Sequence, residues 1–201
     1  VTNVADALQQ VAGIDVRRQG VNGMQADLYI RGGGFDQTLL LIDGIKVDDP
    51  QTGHHTLNLA LAIEVIKRIE EIKVPAARIF GQNAYTGAVN IVTKDVEENS
   101  LIAKVQGGSF GQFIAEATGA VNLEDSNHVI HFSKQSSDGY RKNTDFDNTN
   151  YVLRSKFNKS KLPINLISAF SERKFGAQNF YGVTSASALP YEVTQASLIG
   201  L

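Results

Sequence analysis

The chain has no cysteine and no tryptophan, one methionine and four prolines in 201 residues. Without cysteine there are no disulfides and no thiolate-held metal sites. An excess of either charge is also missing. Nineteen Lys and Arg stand against 21 Asp and Glu, a formal net charge of −2, which gives no general attraction to nucleic acid or to an acidic lipid surface. No run approaches about 18 consecutive apolar residues, so no membrane-crossing helix is expected. The first residues already read as a helix cap, so no leader peptide is expected within the chain. A cytoplasmic protein and a piece of a processed chain both remain compatible with this. No nucleophile elbow, metal triad or catalytically spaced pair of side chains is visible. Neither an enzyme nor a bound cofactor is expected.

Glycine is plentiful, at 18 residues, and three are consecutive in "IRGGGFDQTLLLIDG", residues 30–44. A phosphate-binding loop needs a helix start after its glycines, so that free N–H groups and the helix dipole point at the anion. Here "TLLLID" follows, a short Leu/Ile run stopped by Asp43-Gly44, which reads as a strand. The glycines therefore read as a turn with positive φ. "ADLYIRG" (26–32) and "TLLLIDG" (38–44) are expected to pair as a hairpin around it.

Thr2 or Asn3 caps a helix over "VADALQQVA", with Gly13 as its stop. "IDVRR" (14–18) alternates as a short strand. A long polar loop follows "IKV", then a short helix near 60–66, a strand from Arg68 to Val74, a one-turn helix in "PAARIFG" and a last strand, "AVNIVTK" (88–94). Residues 3–94 thus describe a small α+β unit with a sheet of about four strands.

The period changes after "DVEENS". From Ser100 the chain reads as about six alternating strands. After the first hairpin the connections run short, long, short, long, the pattern of an outer-membrane barrel. Tyr151, Leu153 and Phe157 fall on one side of a strand, with Arg154 and Lys156 on the other. A soluble β-sandwich alternates as well, so periodicity leaves both open. In "TDFDNTN", read as a long outward loop, Asp145 and Asp147 are weak calcium candidates; the glycine and bidentate Glu of an EF-hand are missing.

The pieces "VADALQQVAGIDV", "IRG", "LLLIDG", "IEVIKRIEEIKVPAA" and "FGQNAYTGAVNIVTK" stand in the order and spacing of one family. Together they resemble the plug domain of TonB-dependent outer-membrane transporters. The resemblance implies an α+β plug domain (1–97) followed by antiparallel strands of an incomplete transmembrane β-barrel (98–201), since such barrels have about 22 strands and a plugged lumen. It implies active transport of a scarce nutrient, such as siderophore-bound iron, cobalamin or haem, across the bacterial outer membrane. The implied partners are TonB, through a segment upstream of Val1, the remaining barrel strands, and a small-molecule or metal-chelate substrate. The alternative is a soluble periplasmic or surface ligand-binding module with an α+β domain and a β-sandwich.

By the same resemblance, outward plug loops at Gln19–Gln25, Asp48–Thr56 and Gln82–Tyr85 touch substrate, offering Asn22, Gln25, Gln51, His54, His55, Asn83 and Tyr85. The glycine-rich turn then faces the periplasm. His54-His55 lacks a third ligand nearby, so no firm metal site is expected. Arg31, beside the glycines, is expected to form a structural plug ion pair with Glu70 or Glu71, or those glutamates to meet an arginine of the barrel wall.

Overall fold

The computed structural model describes residues 3–20, 24–47, 57, 61, 63–72, 77–158, 163–178, 180 and 190–201. The chain divides into two compact units, residues 1–18 with 25–95, and residues 19–24 with 96–201.

In the first unit Asn3 caps α1 (Val4–Leu8), its side chain accepting the Asp6 N–H at 2.8 Å. α1 buries Val4, Ala5 and Leu8 and stops short of the expected run to Ala12. The strands are β1 (Ile14–Gln19), β2 (Gln25–Ile30), β3 (Thr38–Ile42), β4 (Ile45–Val47), β5 (Ile66–Ile72) and β6 (Gly87–Thr93), with the one-turn α2 (Ala77–Phe80) before β6. β1 and β2 form a two-stranded sheet, and the other four lie in the order β4-β3-β6-β5. β3 runs parallel to β6, and the remaining pairs are antiparallel. All five residues of β3 are buried, as an inner strand of Leu and Ile requires. The short helix expected near 60–66 is a 3₁₀ turn at Ile63–Val65.

The hairpin expected around Gly32–Gly34 does not form. β2 pairs with β1, and β3 turns back at Asp43-Gly44 instead. Asp43 and Gly44 both have positive φ, 48° and 82°, the geometry of a two-residue type I′ turn, which an Asp-Gly pair favours. The stretch from Arg31 to Gln37 leaves one sheet and enters another through a 3₁₀ turn at Phe35–Gln37. Gly32 serves backbone conformation and Gly33 serves packing. Gly32 takes φ +75°, and a Cβ on Gly33 would stand 2.1 Å from Thr86 Cγ2.

The second unit is one antiparallel meander of six strands: β7 (Ser100–Gly107), β8 (Phe113–Leu123), β9 (Ser126–Ser137), β10 (Phe146–Phe157), β11 (Ile164–Gly176) and β12 (Tyr191–Gly200). Its connections are 108–112, 124–125, 138–145, 158–163 and 177–190, so short and long turns alternate after the first hairpin, as the sequence suggested. The register puts Phe113, Ile130, Phe132, Tyr151, Leu153, Phe157, Leu166 and Phe170 on one face. Glu116, Thr118, His131, Ser133, Asn150, Arg154 and Ser171 lie on the other. β7 and β12 are the outer strands of the sheet, which is not closed.

Candidate functional site

The parallel pairing of β3 and β6 puts the starts of both strands at one end of their sheet, with Thr38 opposite Gly87. The loop before β6 therefore lies beside the turn before β3. The Gln37 carbonyl accepts the N–H groups of both Tyr85 and Thr86 at 3.1 Å. The Thr38 and Thr86 hydroxyls share a hydrogen bond at 3.1 Å. Ala84 is wholly buried with Leu39, Leu41 and Ala88, and Phe80 packs on them. This core fixes Gly81–Thr86 and turns Tyr85 outward, 58% exposed, beside a left-handed Asn83 at φ 69°.

That geometry corrects one expectation. Gln82–Tyr85 and the glycine turn occupy the same end of the sheet, not the opposite ends expected for them. Sequence spacing does not reveal this, because it follows from a parallel pairing between segments almost 50 residues apart. The opposite end of the sheet is closed by Asp43, whose carboxylate accepts the Thr93 N–H at 2.8 Å and the Thr93 hydroxyl at 2.6 Å. The Gly44 N–H donates to Asn90 Oδ1 at 3.0 Å.

Of the other candidate contacts, Asn22, Gln51, His54 and His55 lie outside the described residues. Gln25 begins β2 and is buried, 1% exposed. Among the described residues no three His, Asp or Glu side chains converge as a metal site.

Glu70 is engaged within its own sheet. It accepts the Asn90 amide at 2.8 Å and pairs with Arg68 at 2.7 Å. The Asn90 hydrogen bond, and next the Arg68 bonds, hold its pKa below the usual carboxylate value. Arg31 has a left-handed φ of 53°, is exposed, and forms no ion pair among the described residues. The expected Arg31–Glu70 pair is therefore replaced by Arg68, two residues away on the same strand face. Glu71 is half-buried on β5.

In the six-stranded unit the polar face carries a hydrogen-bonded network that the sequence did not disclose. Asn150 donates to Ser133 Oγ at 3.0 Å, and Ser171 Oγ donates to Asn150 Oδ1 at 2.8 Å, a ladder across β9, β10 and β11. Thr118 meets His131 Nδ1 at 2.8 Å, and Arg154 donates to Asn127. The signal was present as alternate polar residues, but only the strand register brings them together.

The outer face changes character along its length. Phe132, Tyr151 and Phe170 form a row of rings with centroids 5.1 and 6.4 Å apart. Toward the longer loops the same face turns ionic. Lys134 bonds Asp147 and reaches Thr149 at 3.0 Å, and Lys174 pairs with Glu172 at 3.0 Å. Asp147 is thus on β10 with an ammonium partner, not in the loop expected for it. Asp145 lies just before the strand.

Residues 1–88 match the family model of the TonB-dependent Receptor Plug Domain. The chain is 31% identical over 145 residues to the vitamin B12 transporter BtuB of Vibrio vulnificus strain YJ016, a match spanning 71% of this chain and 24% of that protein. Among solved structures it is similar to the pyoverdine outer membrane receptor FpvA of Pseudomonas aeruginosa PAO1, with TM-score 0.68 and 15% identity, over 87% of this chain and 26% of that one. It is also similar to the ferric yersiniabactin uptake receptor FyuA of Yersinia pestis, with TM-score 0.60 and 17% identity, over 93% of this chain and 33% of that one. The chain spans about a quarter to a third of the length of these relatives.

Proposed function

Since this chain belongs to the TonB-dependent receptors of the bacterial outer membrane, we propose that it is the gating plug and the first barrel strands of a transporter importing a scarce, polar, chelated nutrient. The observation that carries this reading is the six-stranded meander after the plug, apolar on one face and hydrogen-bonded polar on the other. A strand wall between lipid and an occupied lumen needs that division. The substrate class is a siderophore–iron complex, cobalamin or haem. The first two accord with what the named relatives carry. No covalent chemistry on the substrate is required.

Energy reaches the site mechanically. TonB pairs by strand addition with a segment upstream of Val1, and pulling loosens the plug. Substrate is held by the 19–25 and 48–56 loops, with Asn22, Gln51, His54 and His55 as polar contacts. Asn83 and Tyr85 lie at the end of the sheet toward which β4 runs before the 48–56 loop, and are kept as further polar contacts.

A chromosomal deletion complemented with the full-length gene tests this. Uptake of ferric siderophores and of cyanocobalamin is measured with TonB present and absent. One of these substrates is expected to be taken up only with both the gene and TonB. Replacing "QTGHH" (51–55) by Gly/Ser is expected to weaken its binding at least about tenfold, the loss of a few hydrogen bonds, while the barrel stays folded. Unchanged affinity would remove the loop from the site, and uptake independent of TonB would overturn the reading.

A further inference from the structure

Residues 19–24 connect β1 to β2, yet they cluster with the six-stranded unit and not with the sheet they flank. Met24, 3% exposed, shares a core with Phe146, Phe175 and Ala177, and Phe180 packs against it. The Phe175 and Phe180 rings lie 5.8 Å apart at 30°. Buried Arg173 donates from Nη1 to the Met24 carbonyl at 3.3 Å. Gly20 takes φ +77°, and a Cβ there would stand 2.6 Å from Phe180 Cζ, so the segment comes close on that side as well. Phe146 starts β10 and Phe175 nearly ends β11, so the contact lies at the long-loop end of the meander.

We infer that Phe146, Phe175, Ala177, Phe180 and Arg173 form a socket that keeps Gly20 and Met24 on the strand wall while the four-stranded sheet of the plug opens. The socket takes an apolar, polarizable side chain against aromatic rings and the backbone carbonyl beside it. Its strands, β10 and β11, pair without a break from Phe146–Phe175 to Phe157–Ile164. The sheet has its own core of Leu39, Leu41, Ala84 and Ala88, which shares no residue with the socket. One core can therefore be lost while the other persists. β4 contributes only three paired residues to that sheet, whereas the strands of a closed barrel have no free edge from which to unravel. Gly20 and Met24 become fixed points on the wall. The inference deepens the gating reading and rests on it, but its test needs neither substrate nor TonB.

The test uses the full-length receptor in lipid vesicles, on a cysteine-free background, with one reporter thiol at a time. Ala177→Cys reports the socket and Val89→Cys the sheet; both positions are 0% exposed. Reaction with a water-soluble maleimide is followed in rising urea. Val89→Cys is expected to react first, with Ala177→Cys at least about tenfold slower at the same urea concentration. Without urea, Met24→Ala, and separately Phe180→Ala, is expected to expose the Ala177→Cys thiol and leave Val89→Cys protected. The inference is overturned if both thiols react together along the urea series. It is equally overturned if Met24→Ala and Phe180→Ala leave Ala177→Cys protected, or if they expose both reporters. Failure of transport in the uptake assay, with these labelling results intact, would count against the transport reading alone.

Discussion

Expressed alone and freed of detergent, residues 1–201 are expected to sediment as large, polydisperse assemblies, while residues 1–97 stay in solution. The reason is the outer face of the meander. Leu101, Val105, Ile130 and Ile199 are each more than 60% exposed. The row Phe132–Tyr151–Phe170 continues the apolar surface between them. In a soluble protein a contiguous patch of this kind marks a surface that is covered by something else. The edges add to it. Among the described residues β7 and β12 each lack a partner on one side, and six strands are too few to close a barrel around a plug. Free edges and an apolar band together drive association between copies. A monodisperse monomer of the whole chain would show that the second half folds those aromatics into a core of its own.

A second large effect is expected from one methyl group. At Gly87 a Cβ would stand 2.6 Å from the Ile72 carbonyl oxygen and 3.3 Å from Ile30 Cδ1. The nearer atom is backbone, and Ile72 pairs with Ala88, so it has no free direction of retreat. Gly87→Ala must therefore push β5 away from β6 or distort the start of β6. Overpacking and backbone displacement of this kind cost about 3 kcal/mol, which lowers the urea midpoint of the plug by about 2 M at an ordinary slope for a small unit. Gly32→Ala is the comparison. Its φ of +75° is left-handed, but nothing stands within 4 Å of the added carbon, so only the conformational penalty of about 1 kcal/mol applies. Reactivity of a Val89→Cys thiol in urea measures both. Equal shifts for the two variants would show that contact with Ile72 is not what requires glycine at position 87.

The parts of the fold that were readable in the sequence are those where period and packing agree. Phe113, Ile130, Phe132, Tyr151, Leu153, Phe157, Leu166 and Phe170 alternate with polar residues, and the register places all of them on the same face. Asn3 as a cap, α2 as a single turn and Asp43-Gly44 as a stop carry local chemistry, and each is found in place. Non-local pairing was not readable. Three glycines invite a hairpin between their flanking strands, but β3 instead joins β6, whose partner residues lie almost 50 positions away. The end of the sheet occupied by Asn83 and Tyr85 depends on that parallel pair. "TDFDNTN" reads as loop because its residues are nearly all polar. From Phe146 it is strand, with Asn148 and Asn150 turned to the polar face and Asp147 facing Lys134. Where a strand has no apolar alternation, the sequence has no period to show.

The central claim is that the apolar face of β7–β12 meets lipid and the opposite face does not. Nitroxide labels at Ile130→Cys and Asn150→Cys in the full-length receptor, reconstituted in a phospholipid bilayer, test it by collision with oxygen, which concentrates in lipid, and with a water-soluble nickel chelate. Ile130 is 63% exposed on the apolar face, and Asn150 is buried on the polar one. The label at Ile130 is expected to be relaxed strongly by oxygen and weakly by the chelate, and the label at Asn150 weakly by oxygen. An Ile130 label reached by the chelate more than by oxygen, or sheltered from both as in the core of a sandwich, would contradict it.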